Sequence, residues 1–290
     1  MSTAPVAEII RADFSAMFEM TFQHLYGHGK YQHNWHHDYL ARVVEQCLAG
    51  NHTRVIVALP PGHLKSTMMS VALPAFMLGR RPETKIIAAS YSSDLAENFS
   101  TQTRSVMEAS WYQEAFPQTT LATSQATLLK TTKHGSRTAT SVGGKITGLR
   151  ADAIIVDDPM NYMDASSPTK RAEVLKWFEY LATRLDHAKG VILLVMQRLH
   201  VDDLVANLLM KEGWHHVSIP LIATEAQSYD CGGFTHDRAA GEPIACRILF
   251  GCGGRENTQG NRGAILPGSI STGADRRQRP DGSVRSFPAL

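Results

Sequence analysis

Short apolar runs alternate with longer stretches of helical periodicity along most of the chain. Arg54-Val55-Ile56-Val57-Ala58-Leu59, Lys85-Ile86-Ile87-Ala88-Ala89, Ala153-Ile154-Ile155-Val156 and the run from Gly190 to Met196 are brief and apolar at successive positions. That is the pattern of strands buried on both faces. Between them, Met68 to Leu78 is long enough for a helix, and Val174, Leu175, Phe178, Leu181, Ala182 and Leu185 fall on one helical face. Ser167 is placed to cap that second helix, with Pro168 at its first position. Asp94 and Glu97 are spaced like a capping box after Ser90-Tyr91-Ser92-Ser93. Ile9, Ile10, Phe14, Met17, Phe18, Met20, Phe22 and Leu25 predict an amphipathic helix within residues 1–30, and Tyr39 to Leu48 another. Residues 119–150 alternate in places and predict two or three short strands, with Gly143-Gly144 at a turn. Val201-Asp202-Asp203-Leu204 begins a further helix, and Trp214 to Pro220 supplies a last strand. Strands alternating with helices predict an α/β fold with a central, mostly parallel sheet flanked by helices.

Two strand ends carry the chemistry. The first strand runs into Pro60-Pro61-Gly62-His63-Leu64-Lys65-Ser66-Thr67 and then a helix, the layout of a phosphate-binding loop. In that layout the backbone N–H groups at the helix start face an anion. Lys65 reaches the β- and γ-phosphates, and the Ser66 hydroxyl takes Mg²⁺. The loop departs from G-x-x-x-x-G-K-[ST], because Leu59 and Leu64 stand where that pattern has glycines. The second strand ends in Asp157-Asp158-Pro159. Two acids at a strand end suit metal holding by Asp157 and orientation of the attacking water by Asp158, or merely end a buried strand with turn chemistry. With both motifs in one chain and in order, ATP and Mg²⁺ are the expected ligands. Pro61, Gly62, His63, Leu64, Lys65, Ser66 and Thr67 form the expected cradle, and Ser66 with Asp157 the metal pair. Arg150, just before the second strand, is a candidate arginine finger. Gln197 and Arg198, at the end of the Gly190 strand, are placed to sense the γ-phosphate. Trp35 and His37 lie in an aromatic and imidazole cluster upstream of the loop and are expected beside an adenine ring; a metal site made of these histidines is the weaker alternative, for want of carboxylates at ligand spacing.

Composition narrows the class only a little. The 290 residues allow one substantial core plus a smaller unit. A formal charge of +2 is too small to argue for nucleic acid, so any DNA contact must come from a local patch. Lys130, Lys133, Arg137, Lys145 and Arg150 are the basic group nearest the expected site, read either as a solvated face or as phosphate contacts. Four cysteines without a C-x-x-C pair are read as free thiols in a reducing compartment. No apolar run reaches membrane-span length and no secretory signal pattern opens the chain, so a cytoplasmic protein without membrane contact is expected.

Several ordered segments resemble the large terminase subunit, the DNA-packaging motor ATPase of tailed bacteriophages and prophages. They are Pro60 to Thr67, Ser90-Tyr91-Ser92-Ser93-Asp94-Leu95-Ala96, Thr147-Gly148-Leu149-Arg150-Ala151-Asp152, Ile154 to Pro159, and Met196-Gln197-Arg198-Leu199-His200 with Asp202-Asp203-Leu204. The resemblance implies a P-loop ATPase that works as a homo-oligomeric ring at a procapsid portal, with the small terminase subunit, and drives double-stranded DNA inward in the host cytoplasm. It also implies that the Gln197-Arg198 region couples hydrolysis to movement. The family commonly has arginine where this chain has Gly62. Family members also continue into a ribonuclease-H-like nuclease domain. Here residues 1–225 are expected to form the ATPase domain, and residues 226–290 a linker, near Phe234 to Pro243, followed by a Gly-, Arg- and Pro-rich tail of low order. The tail is read as a frameshift remnant or a natural flexible tail, with no nuclease activity. Two rivals remain: a P-loop helicase or translocase of another family, and a catalytically silent nucleotide-binding remnant.

Overall fold

The computed structural model describes residues 4–186 and 190–244. Helices α1 (Ala4–Ala12) and α2 (Phe14–Tyr26) open the chain, and α3 (Trp35–Leu48) leads into β1 (Arg54–Ala58). The expected single N-terminal helix is two, because the Asp13 carboxylate accepts from the Ser15 and Ala16 N–H groups and so starts α2. After the loop a π-helical turn, Thr67–Ala72, precedes α4 (Leu73–Arg80). Then come β2 (Lys85–Ser90), α5 (Ser93–Glu108), α6 (Ser110–Ala115), β3 (Leu121–Gln125), β4 (Leu128–Thr131), β5 (Ser136–Ser141) and β6 (Ala153–Asp157). The chain continues through α7 (Tyr162–Ala165), α8 (Pro168–Ala182), β7 (Val191–Met196), α9 (Leu204–Leu209), β8 (His215–Ser218), β9 (Gln227–Asp230) and β10 (Thr235–Arg238). Ser167 does cap α8, accepting from the Lys170 N–H. The cap of α5 is Ser92, bonded to the Leu95 N–H, rather than an Asp94–Glu97 box.

Eight strands form one sheet in the order β3-β4-β5-β2-β6-β7-β1-β8. Pairings from β5 to β8 are parallel, while β3 and β4 extend the edge antiparallel. Strand alternation sorts the core into two layers. Val55, Val57, Ile155, Leu193 and Val195 face α2 to α6, whereas Ile56, Ile154, Val156, Ile192 and Leu194 face α8 and α9. With apolar side chains on both faces, the central strands leave polar chemistry to their C-terminal ends. β7 lies between β1 and β6, so the phosphate-loop strand and the acid-bearing strand are one strand apart.

The packed chain runs past residue 225. β9 and β10 pair as a hairpin, in which the segment expected as a linker is strand and turn. The hairpin packs on α3: the Trp35 indole N–H donates to the Ile244 carbonyl at 3.2 Å, and its ring stacks on His236 at 4.4 Å. Arg238 is buried and donates to the Pro220, Leu221 and Glu242 carbonyls. The low-order tail, with Cys246 and Cys252, lies outside the described residues. A chain cut after residue 225 exposes the Trp35 face and leaves the Pro220 and Leu221 carbonyls without their donor. It is expected to melt roughly 5 °C or more below a chain ending at 244, by differential scanning calorimetry. Equal melting temperatures would show that the hairpin contributes no stability.

Candidate nucleotide site

Parallel pairing sets the ends of three strands level. Ala58 is in register with Met196, and Asp157 with Val195. The chain leaves β1 at Leu59, turns through Pro60 and Pro61, and enters helix at Lys65. Gly62 has φ +81°, and Leu64 has φ +59°. The residue standing in the usual glycine position therefore adopts the left-handed backbone that glycine favours, at a cost of about 1 kcal/mol for leucine. The His63 Nδ1–H donates to the Pro61 carbonyl at 2.9 Å, bracing the turn from inside.

Lys65 is buried, and its ammonium donates to Asp158 Oδ2 at 2.7 Å. Asp158 has φ +42°, and its other carboxylate oxygen accepts from the Gln197 N–H at 3.1 Å. One side chain thus ties the phosphate loop, the end of β6 and the end of β7 together. Asp157 is fully buried beside it. Its Oδ2 accepts from the Ser70 hydroxyl at 2.8 Å, and its Oδ1 has no hydrogen-bond partner among the described residues. Burial, reinforced by the Asp158 charge, pushes the Asp157 carboxyl up to about 6; Ser70, Ser66 and the Lys65 charge pull the other way. An orphaned carboxylate oxygen next to a serine hydroxyl is a hard, oxygen-only donor set that suits Mg²⁺. Ser66 and Asp157 are the residues that would hold it. No group of three or more His, Cys, Asp or Glu side chains among the described residues is arranged for a metal ion.

The remaining expected residues divide. Gln197 touches the site through its backbone. Arg198, next along, is held by Asp203, whose buried carboxylate accepts from its Nε at 2.8 Å and also from the Leu199 and Ala206 N–H groups. Thr67 faces α2, with its hydroxyl 3.1 Å from the Tyr26 hydroxyl. Arg150 lies before the start of β6, at the opposite edge of the sheet from Asp157 and about 20 Å away along the strand. It is exposed and faces Asp186 at 3.9 Å, so it does not reach this chain's own loop. Trp35 is partly buried and His37 is buried, each against other rings of the fold. Trp35 is covered by His236 and Tyr229, and His37 is buried, stacked on Tyr31 and hydrogen-bonded to its hydroxyl. The histidine cluster instead backs the loop, His36 and His63 lying 5.5 Å apart between ring centres. The basic group disperses. Lys130, Lys133 and Lys145 are exposed, whereas Arg137 is wholly buried. Ser70, which the sequence reading passed over, carries no motif; only the π-helical turn aims it at Asp157.

No protein-family model and no curated protein matches the chain. Among solved structures, the large terminase of bacteriophage HK97 is similar with a TM-score of 0.45 at 17% identity, over 67% of this chain and 40% of that one. A mutant ATPase domain of the Thermus phage P74-26 large terminase is similar with a TM-score of 0.46 at 17% identity, over 70% of this chain and 84% of that one. Both neighbours are phage large terminases. The chain spans two fifths of the length of the HK97 protein.

Two pH responses follow. Burial holds His36 down to about 2 and His37 to about 4, so the folded protein excludes protons that the unfolded chain takes up below about 6.5. Their contribution to stability is complete above that pH and is lost as pH falls, toward about 4 for His37 and about 2 for His36. Urea titrations are expected to show falling stability from pH 7 to 5, with a shallower fall in His36→Phe. Asp157 acts in the opposite sense, because its folded value of about 6 exceeds the ordinary 3.8 and its ionisation opposes folding as pH rises through that window. Asp157→Asn is therefore expected to stabilise the empty protein at pH 7.5 by roughly 1–3 kcal/mol, measured by the same titration. A destabilised variant would show that the carboxylate is compensated in the fold.

Proposed function

We propose that the chain is an ATP-hydrolysing motor domain of the phage large-terminase type, acting on double-stranded DNA. The observation that carries this reading is the pairing of a buried Lys65 on a helix-entering loop with Asp158, beside a buried Asp157 that keeps one oxygen without a partner. The ordered series of terminase-like segments supports the coupling to DNA packaging. It also supports the partners proposed here, a portal, a small subunit and further copies of this chain, and the setting of a host cytoplasm. Among the described residues no helix is long and apolar enough to cross a membrane.

The geometry suits hydrolysis in a definite way. The backbone N–H groups at the start of the helix entered at Lys65 receive phosphate oxygens, aided by the helix dipole. Lys65 exchanges Asp158 for the β- and γ-phosphates. Asp158, released from the ammonium, keeps its bond to the Gln197 N–H and is free to accept from a water molecule aligned with the γ-phosphorus. Ser66 and Asp157 would hold a Mg²⁺ ion, which would supply positive charge against the phosphates. As the γ-phosphate departs, Lys65 returns to Asp158, and the Asp158–Gln197 contact passes that change to the end of β7 and the Arg198–Asp203 clamp behind it. Charge developing on the phosphates needs a second cation, and Arg198 is occupied by Asp203. An exposed Arg150 from a neighbouring copy in a ring meets that need.

The rival reading, nucleotide binding without turnover, is favoured by one feature: the Lys65–Asp158 pair must be broken before either group can serve. Steady-state ATPase assays with and without double-stranded DNA decide between them. Lys65→Ala and Asp157→Asn are each expected to lower kcat by about 10²-fold or more, and Asp158→Asn by a similar factor with ATP binding retained. Wild-type protein that binds ATP yet gives no turnover at any protein or DNA concentration would establish the silent form. Strand separation in a helicase assay would instead move the chain to another P-loop family.

A further inference from the structure

Arg137 is the most deeply buried charged side chain of the sheet, with no exposure to solvent. It lies on β5, paired with Ile86 of β2, two strands from Asp157. No carboxylate is paired with it among the described residues. Its Nη2 donates to the Ser70 carbonyl at 3.2 Å, while Nε and Nη1 have no protein partner among the described residues. Burial alone holds it down to about 9. An arginine so placed is costly, and a hydrophobic residue of similar volume would be the cheaper occupant.

What it touches explains the expense. Ser70 sits inside the π-helical turn, where the Leu73 N–H reaches back five residues to the Met68 carbonyl. A π turn carries one residue more than an α turn over the same rise, and such turns are uncommon outside functional sites. Relaxation to an α-helix would rotate every side chain of the turn about the axis and carry the Ser70 hydroxyl away from Asp157. The same residue therefore shows its carbonyl to Arg137 and its hydroxyl to Asp157 Oδ2.

We propose that Arg137 is a positioning residue: by holding the Ser70 carbonyl it keeps the π turn in register, so that the Ser70 hydroxyl fixes Asp157 Oδ2 and leaves Oδ1 facing the metal position. The inference rests on the nucleotide reading, since Asp157 has a metal to hold only if Mg·ATP binds. It extends that reading to two residues that contact neither phosphate nor metal. Arg137 acts through Ser70, and Ser70 through Asp157.

Calorimetric titration of ATP into the full chain, at a series of Mg²⁺ concentrations and in EDTA, tests it. Ser70→Ala and Arg137→Met are each expected to raise the Mg²⁺ concentration for half-maximal tightening of ATP binding about tenfold, the scale of one lost buried hydrogen bond to a charged group. ATP affinity in EDTA should be unchanged. The double variant should be no worse than either single one, because both remove the same link. Arg137→Lys, which keeps a donor for the Ser70 carbonyl, should recover much of the loss. Circular dichroism checks the fold, and Arg137→Gln takes the place of Arg137→Met if that variant does not fold. Unchanged Mg²⁺ dependence in folded Arg137 variants, additive effects in the double variant, or an equal loss of affinity in EDTA would overturn the relay. Wild-type protein that binds no ATP at any Mg²⁺ concentration would overturn the nucleotide reading itself, and the relay with it.

Discussion

The contact on which the site depends is the ion pair between Lys65 and Asp158, because it joins segments that come from opposite sides of an intervening strand. At 2.7 Å it pulls the loop after β1 over the end of β7 toward β6. The parallel register makes this possible: Ala58 and Met196 end level, as do Asp157 and Val195, so all three strands deliver their chain ends to one crevice. Ligands of open parallel sheets gather at such C-terminal edges because the β-to-α connections there present helix N-termini and loop backbone. Here the apolar strands supply only the frame. Lys65, Asp157, Asp158 and Gln197 all lie at or beyond a strand end.

That arrangement concentrates cost at the same place. Leu64 and Asp158 both have positive φ, a conformation that costs a non-glycine residue about 1 kcal/mol or more. Asp157 is a buried acid, and Arg137 a buried base with no carboxylate paired to it among the described residues. None of these makes sense as a way to stabilise a fold, and the two apolar layers, packed on both faces of the sheet, are what offset them. A buried pair whose members are only partly satisfied is poised to accept an outside partner: under the proposed function, Lys65 would exchange its carboxylate for phosphates and Asp157 Oδ1 would gain a metal ligand.

The strands and the two strand-end motifs were legible because their signals are local. A run such as Ala153 to Val156 allows little except a strand buried on both faces, whereas a Lys-Ser pair entering a helix is by itself an ordinary helix start and points to phosphate only together with the acids that end the later strand. Three things were not legible, each because it depends on contacts distant in sequence. The π turn has no compositional mark; Thr67 to Ala72 reads as ordinary helix, and the wider register shows only in the structure, where Ser70 meets Asp157 of β6 and Arg137 of β5. Trp35 and His37 were expected beside an adenine ring, yet His236 of the β9–β10 hairpin, some two hundred residues later, stacks on Trp35, and Tyr31 stacks on His37. Arg137 read as one of five basic residues beside the site, because charge says nothing of which face of a strand a residue occupies once both faces are buried.

Arginine placement says most about how such a site would work in an assembly. Within one chain the buried Asp203 carboxylate holds Arg198, Ser70 holds Arg137, and Arg150 stands at the far edge of the sheet. Under the proposed function, Lys65 would then be the cation that the described residues of one chain bring to the phosphates. A heterologous, head-to-tail contact between identical chains sets one edge of the molecule against a different edge of its neighbour, and closes into a ring when the rotation allows. Arg150, exposed and facing Asp186 at 3.9 Å, is on a surface such a contact can use, and an ion pair that loose and solvated costs little to break. A site completed from outside would fire only when the neighbour is in place, which is the ordering that a motor of several copies requires.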